Sequence, residues 1–178
     1  MRQIDMKHKI LLITAILILI ATFSYHSVFE ITRVEGESME NTLFPKDYIL
    51  LNKIAYHFKS PKRYDVIVFP YDKKNNIYFL KRIIGLPGES IQIINNSIYI
   101  NGALLYENYG KESMDEFTEG IAGTSIKLKE DEYFVLGDNR NNSNDSRDRK
   151  IGPIKKVEIL GKTSFRVYPF SSFGKIRD

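Results

Sequence analysis

A hydroxyl nucleophile needs a base, and this sequence is poor in the usual one. Its three histidines are His8, His26 and His57. His8 precedes a long apolar stretch and His26 falls within or at the end of it. Only His57, in IAYHFKS, could serve a Ser-His-Asp arrangement, and its neighbours carry no catalytic pattern. It reads as an ordinary, partly buried histidine. The chain has no cysteine, which excludes disulfides, thiolate metal ligands and a thiol nucleophile. The same histidine count excludes a His-rich metal site.

Three stretches remain. The first, VEGESMENTLFPKD (34–47), holds Ser38 two residues after Gly36, with Met39 and Leu43 supplying apolar surface. Gly36 would let another backbone approach closely. Taken alone, Ser38 is a loop serine, and most of these only bond to backbone. The second, NIYFLKRIIGLPGE (76–89), alternates as a strand: Ile77, Phe79, Lys81 and Ile83 share one face, and Tyr78, Leu80, Arg82 and Ile84 the other. Both faces are apolar, so the period leaves open which of the two cations points inward; one of them is expected to. A buried lysine is the more useful, because burial lowers its pKa whereas arginine stays charged. A lysine that snorkels its amine into water is the ordinary alternative.

The third stretch, GDNRNNSNDSRDRKIGPI (137–154), has the Asn and Asp density of a calcium loop but fails the spacing: Arg140 stands at the third position of the loop, where a ligand is needed, and the required glycine is missing. Arg140, Arg147 and Arg149 set cations among the acids. A self-satisfied loop of Asp–Arg pairs and Asx turns fits better.

These stretches need a frame. Ile10–Phe29 contains no Asp, Glu, Lys or Arg, and twenty residues of helix span roughly 30 Å, the thickness of a bilayer's hydrocarbon core. Arg2, Lys7 and Lys9 precede it against Asp5; Glu30, Glu35, Glu37 and Glu40 follow it against Arg33. The positive-inside rule then places residues 1–9 in the cytoplasm, 10–29 in the membrane and 30–178 outside, at the plasma membrane. A cleaved signal peptide would share the basic start, but its best small-x-small site is the poor Thr22-Phe23-Ser24.

After Phe29 the pattern turns to short strands: 47–54, 64–69, 77–84, 90–94, 97–100, 124–128, 133–136 and 163–168, separated by turn residues. IINNSIYING reads as a tight hairpin with Asn95-Asn96 taking positive φ. The polar segment 107–123 is the weakest structurally and is expected to be a flexible part of a small lobe at about 96–128. The fold class is therefore mainly β, an antiparallel, barrel-like domain behind one N-terminal transmembrane helix. The length, 178 residues, and the apolar content, 43%, suit one packed domain of this kind. A net charge of +4, mild and dispersed, gives no argument for nucleic acid.

Together the motifs resemble the bacterial type I signal peptidases, membrane-anchored serine proteases with a Ser–Lys dyad, in the compact form of Gram-positive bacteria. EGESMENTL looks like the nucleophile box, YDVIVF the next strand box, KRIIGLPGE the lysine box, and GDNRNNSNDSR with GPI the last box, in the family's order over nearly the whole chain. The resemblance implies that Ser38 is the nucleophile and Lys81 the general base. It implies that Ser143 hydrogen-bonds the lysine, that Asp145 and Arg147 form a structural pair, and that Asp138 and Arg140 support the site. Val34, Gly36, Met39, Leu43, Val68, Phe79 and Leu80 would bind substrate, with shallow pockets for the small residues at −1 and −3 of a signal peptide. The implied partners are signal peptides of exported preproteins, the lipid bilayer and, further, the secretion translocon, with no metal or organic cofactor and no nucleic acid. Many relatives carry proline where this chain has Asn41, which also suits a turn; some carry a hydroxyl at the position of Gly36, where here only backbone can serve the oxyanion. The alternatives are a mitochondrial inner-membrane processing peptidase and a non-catalytic, membrane-tethered β interaction module.

Overall fold

A computed structural model describes residues 6–115 and 118–176, with the side chains of residue 17 and residues 20–27 outside that description. Residues 1–5 of the expected cytoplasmic N-terminus, and the His26 side chain, therefore fall outside it. The chain opens with helix α1 (Met6–Val28), of 23 residues. It continues through β1 (Phe29–Arg33), β2 (Tyr48–Asn52), β3 (Val66–Asp72), β4 (Ile77–Gly85), β5 (Ser90–Ile94) and β6 (Ser97–Ile100). Then follow β7 (Ala103–Leu104), β8 (Ile126–Lys127), β9 (Glu132–Leu136), β10 (Ile154–Lys155), β11 (Gly161–Tyr168) and β12 (Gly174–Lys175).

Helix α1 covers the expected apolar span as far as Val28, Phe29 instead opening β1 opposite Asn52, and Ile10, Leu11, Leu12, Ile13, Ile16, Ile18 and Leu19 of the helix are exposed. Among the described residues no helix is long and apolar enough to cross a membrane; much of the Ile10–Phe29 span lies outside the described side chains.

The strands form two antiparallel sheets. The larger runs β1-β2-β11-β3-β4-β9-β10, with β12 paired to β11; the smaller runs β7-β6-β5-β8. The expected barrel is open. Closure would require the terminal strands to pair, and here they are β1 at one end and the two-residue β10 at the other. The smaller sheet starts at Ser90, because β5 pairs with both β6 and β8. Its β5–β6 hairpin turns at Asn95 and Asn96, with φ of 48° and 63°, the left-handed values that two-residue turns demand and asparagine tolerates.

The alternation along β4 sorts its neighbours as the pleat requires. Phe79 and Ile83 pack with Ile67, Phe69 and Val135. Leu80 joins Val34, Met39 and Leu43, and Ile84 joins the core of the smaller sheet. Since both faces of β4 are covered, both of its cations are buried. Lys81 is 3% exposed and Arg82 is fully buried, so the expectation of a single inward cation is corrected. His57, expected to be partly buried, is exposed.

The segment 107–123 is better held than its polarity suggests. Tyr109 and Met114 are buried, and the Lys111 amide donates to the Asp138 carbonyl at 2.9 Å.

Candidate active site

β4 delivers Lys81 from its middle, and the turn after Val34 delivers Ser38. The two side chains meet: Lys81 Nζ lies 2.7 Å from Ser38 Oγ and donates to its neighbour's carbonyl, Leu80 O, at 3.0 Å. The amine also sits 4.8 Å from the centre of the Phe79 ring. Among the described residues no carboxylate contacts it directly. Burial dominates and lowers its pKa to about 8, while the more distant charges of Asp145 and Asp138 oppose that shift and Arg147 adds to it. A lysine in this state carries a substantial neutral fraction near neutral pH.

Arg82, one residue on, meets the opposite surroundings. Its Nε and Nη2 grip the two Asp138 oxygens at 2.9 and 2.8 Å. Nη1 donates to Tyr64 O at 2.9 Å, and the guanidinium lies 3.9 Å from the Tyr109 ring centre. Thr42 donates to Asp138 at 2.5 Å. Asp138 thus ties β4 to the serine loop through Arg82 and Thr42.

The loop after β9 closes the site from the other side. Asp145 accepts from Arg147 Nε and Nη2 at 2.8 and 2.9 Å and from the Gly137 amide at 3.1 Å. Arg147 in turn donates to Arg140 O at 2.6 Å. Arg140 donates to Gly137 O at 2.9 Å and pairs with Glu107. The Asn139 amide donates to Ser38 O at 3.0 Å, and the Asn139 side chain to Glu37 O at 3.2 Å. The carboxylates of Asp138 and Asp145 are taken up by arginines, which leaves the loop no calcium-like cage.

Ser143 departs from expectation. Its Oγ is buried and has no hydrogen-bond partner among the described residues, so the implied bond to Lys81 is not formed. Lys81 directs its amine to Ser38 and Leu80 O instead, while Ser143 packs against Gly137. A Cβ at Gly137 would lie 2.3 Å from Ser143 Oγ and 2.4 Å from Ser38 O, so only glycine lets the serine loop and the Ser143 turn close on one another.

Ser38 and Lys81 open onto a cleft of about 770 Å³ lined by Val34, Gly36, Met39, Val68, Phe79 and Leu80. Leu43, also expected there, lies fully buried beneath it in the core with Met39. Gly36 has no atom of the described residues, its chain neighbours aside, within 4 Å of the position of a Cβ, so the close backbone approach expected there is not made on that side.

Asn41 differs more from proline than its turn-forming character implied. Its φ is 89°, a value closed to proline, and its side chain donates to Tyr109 O and Gly110 O at 3.2 and 3.4 Å. A Lys111–Glu40 pair at 2.7 Å lies alongside.

Sequence reasoning missed Thr42, Gly137, Asn139 and Tyr109, and left Arg82 as Lys81's rival. The available signals were a glycine directly after a strand and a second cation in an apolar run; nothing local marks Tyr109.

Residues 7–168 match the model of the family described as signal peptidase, peptidase S26. The chain belongs to this family. It is 34% identical to signal peptidase I of Bacillus amyloliquefaciens, over 98% of this chain and 92% of that one. It is 35% identical to a probable signal peptidase I-2 of Synechocystis sp., over 94% of this chain and 75% of that one. A solved signal peptidase I from Enterococcus faecalis is 37% identical and covers 58% of this chain and 97% of its own, with a TM-score of 0.47. By the family match and the two sequence relatives, the chain is an enzyme of the bacterial signal peptidase I type, a serine-type peptidase, which sets aside both the interaction module and the mitochondrial alternative.

Proposed function

We propose that this peptidase removes signal peptides from exported preproteins after a small-x-small motif, with Ser38 as nucleophile and Lys81 as general base. The observation that carries the dyad is the 2.7 Å contact between a half-buried serine and a buried lysine of lowered pKa. Neutral Lys81 takes the Ser38 proton as Oγ attacks the carbonyl carbon of the −1 residue. The Ser38 amide, which donates to no carbonyl among the described residues, would serve the oxyanion. Lys81 then gives its proton to the leaving amine as the C–N bond breaks. Lys81, neutral again, takes a proton from a water that attacks the acyl carbonyl carbon, and returns that proton to Ser38 Oγ as the ester C–O bond breaks.

Ser143 is proposed as a positioning residue: its unpartnered Oγ would meet the amine when Lys81 leaves Leu80 O. Asp138, Arg140, Asp145 and Arg147 hold the two loops in register. Val34, Gly36, Met39, Val68, Phe79 and Leu80 contact the substrate, with Leu43 setting the floor beneath them. The cleft suits an extended peptide. β9 pairs with β4 only from Arg82 to Gly85, so residues 77–81 keep a backbone edge on that side to which a substrate strand can add. The open space at Gly36 leaves room for its backbone.

Residues 10–29 are proposed as a single-pass anchor, with 1–9 cytoplasmic and 30–178 outside the plasma membrane. Support comes from the uncharged span, its helical conformation and its exposed apolar side chains. The bilayer, and the translocon that delivers preproteins, are the partners this placement implies.

The test is cleavage of a preprotein with an Ala-x-Ala site by the detergent-solubilised enzyme. Ser38→Ala and Lys81→Met should each lose about 10³-fold or more of the activity. Full activity in either variant would refute the dyad.

A further inference from the structure

Between β2 and β3 the chain makes a loop, KIAYHFKSPKR (53–63), that takes no part in the cleft. Its place is set by β1 and β2. Phe29 pairs with Asn52, and the Lys53 amide donates at 2.8 Å to the carbonyl of Val28, the last residue of α1. The loop therefore begins level with the end of the apolar helix, whatever the tilt of that helix.

Its tip is apolar and exposed. Phe58 is 93% exposed, and Ile54, His57, Lys59 and Lys62 are exposed as well. Looseness does not account for this. Pro61 is buried. Asp65, also buried, accepts from Tyr56 Oη at 2.8 Å, from the Lys62 amide at 3.0 Å and from Lys162 Nζ at 2.6 Å. This cluster braces the loop against β11, and it holds the Phe58 ring out in solvent, with the His57 ring centre 6.4 Å away.

The charge around the tip has one sign. No Asp or Glu occurs from Lys53 to Tyr64. Lys53 pairs with Glu30 and Arg63 with Glu89, but Lys59 and Lys62 hold no ion pair among the described residues. An exposed apolar side chain beside lysines that hold no ion pair among the described residues, on a loop that starts where an apolar helix ends, is the pattern of an interfacial anchor. The ring enters the headgroup boundary and the amines meet anionic headgroups.

We propose that the loop 53–63 is a bilayer-docking element, with Phe58 inserted at the interface and Lys59 and Lys62 against anionic lipid. This rests on the reading of residues 10–29 as a membrane anchor. It adds a second point of attachment, which would hold the β domain in a fixed orientation on the membrane.

The chain contains no tryptophan, so Phe58→Trp creates a unique reporter. Tyr106→Trp, at a site 85% exposed beyond the smaller sheet's β7, is the control. Each full-length variant is reconstituted into vesicles of phosphatidylcholine alone or mixed with phosphatidylglycerol, and quenched with lipids brominated along the acyl chain. The Phe58→Trp emission should shift to the blue and be quenched, by about twofold more in the anionic vesicles, while the Tyr106→Trp emission is unmoved. Adding Lys59→Glu and Lys62→Glu should remove the anionic excess without changing cleavage of a short soluble peptide. Flotation with the vesicles but quenching no greater than for Tyr106→Trp would overturn the docking loop and leave the anchor standing. Failure to float at all would overturn both.

Discussion

Lys81 and Arg82 are adjacent on β4, both buried, and treated in opposite ways. On the Arg82 face a carboxylate, a carbonyl, a hydroxyl and an aromatic ring converge, so the guanidinium is matched and remains charged. On the Lys81 face the contacts are a hydroxyl, one carbonyl and a phenyl ring, and no carboxylate touches the amine among the described residues. A charge in such a place is poorly compensated, and the group answers by lowering its pKa. One face of the strand thus supplies structure and the other, on the proposed mechanism, reactivity. The chemistry of each cation suits its face, because arginine keeps its proton where lysine can lose it.

The sharpest way to break this contrast is to exchange the chemistry. Lys81→Arg should abolish preprotein cleavage, by about 10³-fold or more in kcat/KM, since a guanidinium cannot act as base at any working pH. Retained activity would mean that Lys81 is not the base. The mirror experiment is Arg82→Met, which leaves Asp138 buried and uncompensated. It should cost about 3–5 kcal/mol in urea unfolding, and the double variant Arg82→Met/Asp138→Leu should recover part of that loss. A cost no larger than for an exposed arginine would show that the pair is not structural.

Lys81 should show the opposite sign in stability. Its pKa is about 8 in the fold, against 10.5 unperturbed. The unfolded chain therefore binds the extra proton between those values, and stability rises with pH across the window. Below about pH 8 the buried charge costs the fold roughly 3 kcal/mol. Lys81→Met should accordingly raise the unfolding free energy at neutral pH, and the gain should fade as pH climbs toward 10.5. A pH-independent difference would contradict the burial argument. In the wild type, kcat/KM should rise with pH to a plateau with an apparent pKa near 8, as neutral lysine accumulates.

The smallest effect is expected at Asn41, where the serine loop is held to the segment beside Arg82. Asn41→Ala should cost about 1 kcal/mol, from two lost hydrogen bonds and a non-glycine residue held at positive φ. Asn41→Pro should cost more, because the ring cannot reach that φ. Equal stability for Asn41→Pro and Asn41→Gly would show that the turn rearranges freely.

The strands were legible wherever β-branched and aromatic runs ended in turn residues, and so was the Asn95-Asn96 hairpin. The short β7, β10 and β12 were not, because two residues carry no period, and β1 was missed because FEITR follows the apolar run with no turn residue between. The helix was read from an uncharged apolar run. The sheet's failure to close was beyond reach, since closure depends on how two distant edges lie in space. Ser38 and Lys81 were picked out by motif order, yet Tyr109 was missed. Its segment is polar and irregular, and its ring is buried against the Arg82 guanidinium and the Tyr64 ring, neighbours that only the fold supplies.

The sequence by itself determined the kind of chemistry. Without cysteine, and with His57 the one histidine set apart from the apolar helix, a serine paired with a lysine was the arrangement its ordered motifs supported. Local pattern also set the strands and the helix, because side-chain period and turn chemistry act over a few residues. What only the tertiary structure decided is which partners each cation has. Burial of Lys81 beside Ser38, the grip of Asp138 on Arg82 and the unpartnered hydroxyl of Ser143 all depend on loops far apart in the chain meeting around β4. Desolvation and pairing are properties of that assembled surrounding, and no residue carries them alone.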